Sequence, residues 1–257
     1  MIRVPVVNPD GSPGMPCKAS RARRMVRDGK AIGKRNKLGI YYIQLVDEPS
    51  GRKKQNISAG IDPGKYYSGI GLQSSKFSLF TAHLFLPFET VKKRMEQRRM
   101  MRRGRRGRRI NRKVNFSLRS HRQKRFSNRR DNKLAPSIKA NRLLEIRVIT
   151  ELAKIYPITS IVYEYVKAKT LPGCSFSPVQ IGQKWAMEHL SKIALVTKFG
   201  WQTSNLRKHL GLPKQKLNKK EAIPATHAVD GLTLAASQFI DYLLKTNTGM
   251  VIAGREE

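Results

Sequence analysis

Three observations predict a mixed α/β fold for this 257-residue chain. Residues 56–86 contain three short apolar runs parted by turn residues, the pattern of consecutive antiparallel strands. Residues 136–244 alternate helix-length periodic segments with strand-length apolar runs, as a layered α/β domain does. Between the two regions lies a segment too positive to fold against itself.

Residues 1–55 read as a small basic head. Ile2–Val7 suits a short strand and Asn8-Pro9-Asp10-Gly11 a turn. Pro13-Gly14-Met15-Pro16-Cys17 is an irregular link. Ser20 is placed to cap a helix over Arg21–Asp28 that Gly29 stops. Leu38–Val46 reads as a strand. So small a core does not stand alone, so the head is expected to dock on the rest. Ile57–Asp62, Tyr66–Gln73 and Phe77–Leu86 are the three consecutive strands, with Pro63-Gly64 and Pro87 ending the first and third. Pro136 opens an amphipathic helix to Lys154, with Leu143, Leu144, Ile146, Val148, Ile149 and Leu152 on its apolar side. Thr159–Val166 is a strand apolar enough to be buried. A helix over Pro178–Ile193 follows the Pro172-Gly173 loop. Then come a strand or loop at Leu195–Thr203, a basic loop at Leu212–Glu221, a last helix over Ala225–Leu244 and a weak tail. Strand, strand, strand, insert, helix, strand, helix, strand, helix is the order of an RNase-H-like domain.

The insert is the strongest compositional signal. Lys92–Arg130 hold 19 Lys and Arg in 39 positions against one acid, Glu96, so +18 of the chain's +35 is concentrated there. Like charges one helical turn apart repel, so the segment needs a polyanion. Nucleic acid fits that need. A membrane does not, because the sequence has no run of 18 apolar residues. Arg98, Arg99, Arg102, Arg103, Arg105, Arg106, Arg108, Arg109 and Arg112 are the candidate phosphate contacts, since guanidinium forks match phosphate oxygens. Gly104 and Gly107 each cost a helix about 1 kcal/mol relative to Ala, and their spacing puts both on one side where a backbone can approach. Cys17 and Cys174 stand apart, which suits a reducing compartment and gives no zinc-ligand pair. The opening residues lack an apolar signal core, so a cytoplasmic location is expected.

In so basic a chain, acids inside apolar elements need a reason. Asp62 ends the first strand, Glu164 lies in Ile161-Val162-Tyr163-Glu164-Tyr165-Val166, and Asp230 lies in the last helix. Each would be costly to desolvate unpaired. Mg²⁺ prefers such oxygen donors, and two ions held about 4 Å apart can activate water and stabilise the leaving oxygen of a phosphodiester. His227, three residues before Asp230 on the same helical side, is placed to orient the water, act as a base or bind metal. Salt bridges to some of the 52 Lys and Arg are the plainer reading of each acid taken singly. His83, His121, His189 and His209 read as structural or surface residues, and Trp185 and Trp201 as core or RNA-stacking residues.

These residues resemble a known family. Ile61-Asp62-Pro63-Gly64, Ile161-Val162-Tyr163-Glu164 and His227-Ala228-Val229-Asp230 look like the three RuvC motifs. The arginine stretch between the first two resembles the bridge helix of the transposon-encoded RNA-guided nucleases IscB and IsrB, and Pro13-Gly14-Met15-Pro16 is similar to their N-terminal PLMP signature, with Gly14 in place of Leu. Val179–Gly182 and Lys198–Ser204 also look like segments of that family. No His-Asn-His arrangement stands between Glu164 and His227, so the likeness is to IsrB, which lacks the HNH nuclease.

The resemblance implies a PLMP-like head (1–55), RuvC-like parts at 56–88, 131–175 and 176–245, a bridge helix with linker at 89–130, and a tail at 246–257. It implies a prokaryotic, Mg²⁺-dependent nickase of the non-target strand (two ions, with Mn²⁺ as a substitute), monomeric within a ribonucleoprotein of omega-type guide RNA and target DNA. Asp62, Glu164 and Asp230 would be metal ligands, and with His227 the catalytic set. IsrB-like chains continue past the third motif into a domain that holds the guide and reads the target-adjacent motif, whereas this sequence has only Gly231–Glu257 beyond it. A RuvC-type nuclease acting on DNA structure without RNA, and a non-cutting RNA-binding protein, are the alternatives.

Overall fold

In the computed structural model, which describes residues 3–108, 111–118, 134–167, 178–212, 223–240, 243–246 and 249–252, the chain begins with short strands β1 (Arg3–Val4), β2 (Val6–Val7) and β3 (Cys17–Lys18). Helix α1 (Ala19–Arg27) and strands β4 (Ala31–Arg35) and β5 (Tyr41–Leu45) complete the head. Strands β6 (Ile57–Asp62), β7 (Tyr67–Ser74) and β8 (Ser78–Phe85) lead into helix α2 (Phe88–Arg108) and a 3₁₀ turn at Phe116–Leu118. Helix α3 (Pro136–Ala153), β9 (Ile158–Tyr165), α4 (Pro178–Leu190), β10 (Ala194–Phe199), α5 (Gly200–His209) and α6 (Pro224–Ala236) follow. A hairpin of β11 (Leu243–Thr246) and β12 (Gly249–Ile252) comes last.

Five strands form the central sheet in the order β10-β9-β6-β7-β8. β6, β7 and β8 are successive antiparallel neighbours, while β9 runs parallel to β6 and β10 parallel to β9. Two-residue pleating sends alternate side chains to opposite faces. Ile57, Ala59, Ile61, Ile70, Leu72, Ile161 and Tyr163 pack on one face against Val148, Ile149 and Leu152 of α3 and Ala186 and Leu190 of α4. Each fully buried Ile or Leu there contributes about 1.5–3 kcal/mol.

The opposite face explains the glycines of β6 and β7. Gly60, Gly69 and Gly71 face α6 with no side chain between. A Cβ on Gly60 would lie 2.5 Å from the Ala235 nitrogen, and one on Gly231 would lie 2.8 Å from the Gly69 carbonyl carbon. Helix α6 therefore lies backbone against backbone on β6 and β7, which brings its side chains to the end of β6.

The head forms the sheet β2-β5-β4 around Val6, Ala22, Ala31 and Ile43. It also docks, as expected: Val7 belongs to the main core, and Met15, Leu38, Ile40 and Tyr42 pack against it. Gly11 and Gly29 take φ of 82° and 70°, as the predicted turn and helix stop require.

Several expectations are corrected. Helix α1 starts at Ala19 with Lys18 at its cap, so Ser20 lies inside it and caps nothing. Strand β4 lies where the sequence predicts no element; its Ile-Gly-Lys-Arg is exposed and carries no apolar alternation. Leu143 is exposed, because the inward side of α3 at that level carries Asn141, Arg142 and Glu145. Residues 200–209 are helical, and the last long helix ends at Ala236, with β11 beginning at Leu243 inside the span expected to be helix. The Pro172-Gly173 loop and positions 213–221 of the basic loop lie outside the described residues. Among the described residues no helix is long and apolar enough to cross a membrane.

Candidate active site at the end of the central sheet

Asp62 ends β6, the middle strand. Ile61 pairs with Tyr163 on parallel β9, so Asp62 and Glu164 follow side by side on the same face, the face that α6 covers. His227, in the first turn of α6, places Nδ1 3.0 Å from Asp62 Oδ2. Asp230 lies one helical turn on and is 1% exposed. The structure thus gathers the four predicted residues at one end of the sheet.

Each carboxylate has a partner. Arg207 of α5, 3% exposed, reaches Asp230 Oδ1 with Nη1 at 2.8 Å. The same guanidinium donates to the carbonyls of Thr226 (3.1 Å) and Leu212 (3.1 Å), tying α5 to α6. Glu164 Oε1 accepts from Thr203 Oγ1 at 3.4 Å and lies against Gly200, at the positive N-terminal end of α5. Lys198 of β10, also buried, pairs in register with Glu164. Among the described residues, no three His, Cys, Asp or Glu side chains converge into a metal-holding group.

A second layer fixes the chain around Asp62. Arg142, on α3, donates Nη1 to both oxygens of Glu145 (3.0 and 2.8 Å) and to the Tyr163 hydroxyl (3.0 Å), and Nη2 to the Gly64 carbonyl (2.7 Å). Asn141 donates to the Lys65 carbonyl at 2.8 Å, and Ser68 Oγ to the Asp62 carbonyl at 2.7 Å. The 63–66 turn is therefore clamped from below. Burial pushes the Glu145 carboxyl up, opposed by the Arg142 charge. Burial likewise drives the Tyr163 hydroxyl up.

His83, read from sequence as structural or surface, is at the site. Its ring stacks on His227 at 5.5 Å and 7°, and on Tyr67 at 5.0 Å. Both its ring nitrogens are buried with no hydrogen-bond partner. Burial, then the neighbouring His227, lowers its basicity. Sequence spacing could not reveal it, because His83 comes in through the β7–β8 pairing with Gly69. Arg207 was missed for a similar reason: it lies in a helix that was not expected. His189 is exposed and contacts Trp185, and Trp201 is exposed.

The arginine helix starts beside this site. Tyr67 pairs with Phe85 at the site end of β8, and the ring of Phe88, the first residue of α2, meets Tyr66 at 5.8 Å. Arg98, Arg99, Arg102, Arg103, Arg105 and Arg108 are exposed along α2, and Gly104 and Gly107 have nothing within 4 Å of a would-be Cβ. Arg106 lies in the helix, Arg112 is exposed just beyond it, and Arg109 is outside the described residues.

A family described as RRXRR protein matches residues 4–172. The pattern in that description occurs here as Arg102-Arg103-Gly104-Arg105-Arg106. Comparison with curated proteins gives no match. Among solved structures, the chain is similar to T. thermophilus RuvC in complex with a Holliday junction substrate, at 12% identity and TM-score 0.37, covering 71% of this chain and 92% of that one. A second Thermus thermophilus RuvC structure has 12% identity and TM-score 0.35 at the same coverage. At that identity and score, the likeness assigns neither a reaction nor a residue role.

Proposed function

The chain belongs to the RRXRR protein family, and from that footing we propose that it is an RNA-guided DNA endonuclease of RuvC type, nicking the displaced strand. One observation carries the reading: the arginine helix leaves the sheet at the same end where Asp62 contacts His227 and lies beside Glu164 on the neighbouring strand. A nucleic acid held along α2 is delivered to those side chains. Base pairing to a guide supplies sequence choice, while the protein grips backbone and shape.

The three carboxylates and one imidazole at this sheet end are donor types that a hard divalent cation takes, although among the described residues no three of them are drawn together. Asp62, Glu164 and Asp230 would hold Mg²⁺ (two ions, or Mn²⁺ in its place), which when bound supplies water activation and charge stabilisation at the phosphodiester. His227 is oriented by its contact with Asp62 and by stacking on His83, and its imidazole would serve as the base or the water-orienting group. Arg142 and Asn141 keep the backbone after Asp62 in place. Arg207 fixes Asp230, and its guanidinium would share that carboxylate with a bound cation.

A second reading, a nucleic-acid holder that does not cut, is favoured by the absence of three convergent donors among the described residues. One experiment separates them. The chain is co-expressed with its flanking non-coding DNA, the bound RNA is sequenced, and matched supercoiled plasmid is offered in Mg²⁺. The proposal expects a defined RNA and nicking of matched plasmid only, abolished by Asp62→Ala. Nicking by Asp62→Ala at the parental rate overturns the catalytic assignment, and nicking without a defined RNA overturns the guided reading.

A further inference from the structure

The cleft between the head and the edge of the sheet is independent of the candidate site. It consists of two adjoining hollows of about 420 and 400 Å³, which share Arg3, Met15, Pro16, Lys53 and Lys54. Both volumes fall within the range of ligand-holding clefts. Arg3, Lys18, Arg21, Arg52, Lys53, Lys54 and Lys76 line them, and among the described residues no acid does. Arg52 is partly neutralised by Asp10 and Glu48. No ion pair among the described residues engages the side chains of Lys53, Lys54 and Lys76.

The lining is not uniformly charged, which separates it from an ordinary solvated basic face. Met15, Pro16, Phe77 and Leu79 form an apolar wall. Phe77 is 39% exposed, and the Arg3 guanidinium lies 3.9 Å over its ring. The buried Arg3 Nε has no hydrogen-bond partner. A partly exposed aromatic ring stacked with a guanidinium, beside a row of lysines, pairs a base-stacking group with phosphate contacts.

The cleft lies far from Asp62. Phe77 follows the β7–β8 turn, where Ser74 pairs with Ile57 at the start of β6, whereas Asp62 is at the other end of that strand, roughly 17 Å away.

We infer that this cleft is a second nucleic-acid site, which binds a single strand with unpaired bases: one base stacks on Phe77, and Lys53, Lys54 and Lys76 take the flanking phosphates. A duplex is excluded in this mode, because its bases present no free face to Phe77. The inference does not rest on the nuclease reading, since it invokes neither the carboxylates nor a guide.

The test uses the full chain with labelled 12-nucleotide oligomers: single-stranded RNA, single-stranded DNA, and a duplex of the same sequence. Phe77→Ala is expected to weaken single-strand binding about tenfold, the loss of one stacked base, and to leave duplex binding unchanged. The triple reversal of Lys53, Lys54 and Lys76 to Glu is expected to weaken single-strand binding more than the charge-matched reversal of the exposed Lys37, Lys167 and Lys192. A photoreactive base in the oligomer is expected to cross-link within residues 74–79. The ribo and deoxyribo arms tell which strand type fills the cleft, and a tenfold loss confined to single strands on Phe77→Ala with either type supports it. Equal losses for single strand and duplex on Phe77→Ala, equal effects of the two triple reversals, or tight binding of an acidic peptide in place of the oligomers overturns it. Circular dichroism of each variant shows whether the fold is intact.

Discussion

Substituting Gly69 by Ala tests how α6 reaches the sheet. Gly69 pairs with Asp62 on one side and with His83 on the other. A Cβ there would lie 3.1 Å from the Ala228 nitrogen and closer still to the His227 carbonyl. Both neighbours are backbone, so no side chain can swing aside. Restoring ordinary contact requires α6 to retreat by on the order of 1 Å, enough to forfeit up to half of the dispersion energy at that interface. Overpacking of this kind costs about 3 kcal/mol, the upper end of the usual range. For a domain of this size that lowers the melting temperature by about 6–12 °C. The same retreat stretches the His227–Asp62 contact from 3.0 Å to about 4 Å, beyond hydrogen-bond range. Thermal unfolding followed by circular dichroism gives the first number; under the proposed function, plasmid nicking reads the second consequence. Gly231→Ala, whose Cβ would lie 2.8 Å from Gly69, is expected to cost less, because Ala returns about 1 kcal/mol of helix propensity. Gly104→Ala, with open space around it, is expected not to lower the melting temperature. A Gly69→Ala protein melting within 2 °C of the parent refutes the backbone-contact account.

Three further outcomes follow from the geometry. Arg207→Met removes the guanidinium that pairs with the buried Asp230 carboxylate and is expected to destabilise by up to about 3–5 kcal/mol in urea unfolding, with the double variant Arg207→Met/Asp230→Asn regaining a large part. The Tyr156 hydroxyl is pushed up to about 12 by burial, so its neutral form is favoured in the fold; that stability is complete below pH 10 and lost as pH rises from 10 through 12, and Tyr156→Phe is expected to move the alkaline unfolding midpoint upward. Replacing Arg98, Arg99, Arg102, Arg103, Arg105 and Arg108 by Gln is expected to reduce the slope of log affinity against log salt for duplex DNA by up to about 5, read by fluorescence anisotropy over a salt series.

What was legible in the sequence follows from how each signal arises. The bounds of β6 read directly, because an unbroken apolar run ends in Asp-Pro-Gly and proline cannot continue the ladder. Helix α3 read equally well from Pro136 onward, yet its inward side was misassigned at Leu143. Burial there goes to Arg142 and Glu145, a pair that satisfies itself, and periodicity counts only apolar residues. Helix α5 was hidden because it opens Gly-Trp-Gln-Thr-Ser-Asn, in which every residue but Gln202 has middling or poor helix propensity, and Arg207 ties it to α6. The four acid and imidazole positions were visible as polar residues inside apolar elements. Their partners Arg207, Thr203 and His83 were not, since each arrives from an element distant in sequence with no spacing relation to the residue it meets.

The late position of α6 also orders events during synthesis. The chain emerges amino end first, at about 5–20 residues per second. The sheet end that carries Asp62 is made early, and α2 follows it directly. Asp230, 122 residues beyond Arg108, emerges roughly 6–24 s later. Throughout that interval the nascent chain displays its full arginine helix while His227 and Asp230 are still unmade. A growing chain can therefore recruit a polyanion from its surroundings before the four side chains at the sheet end can meet.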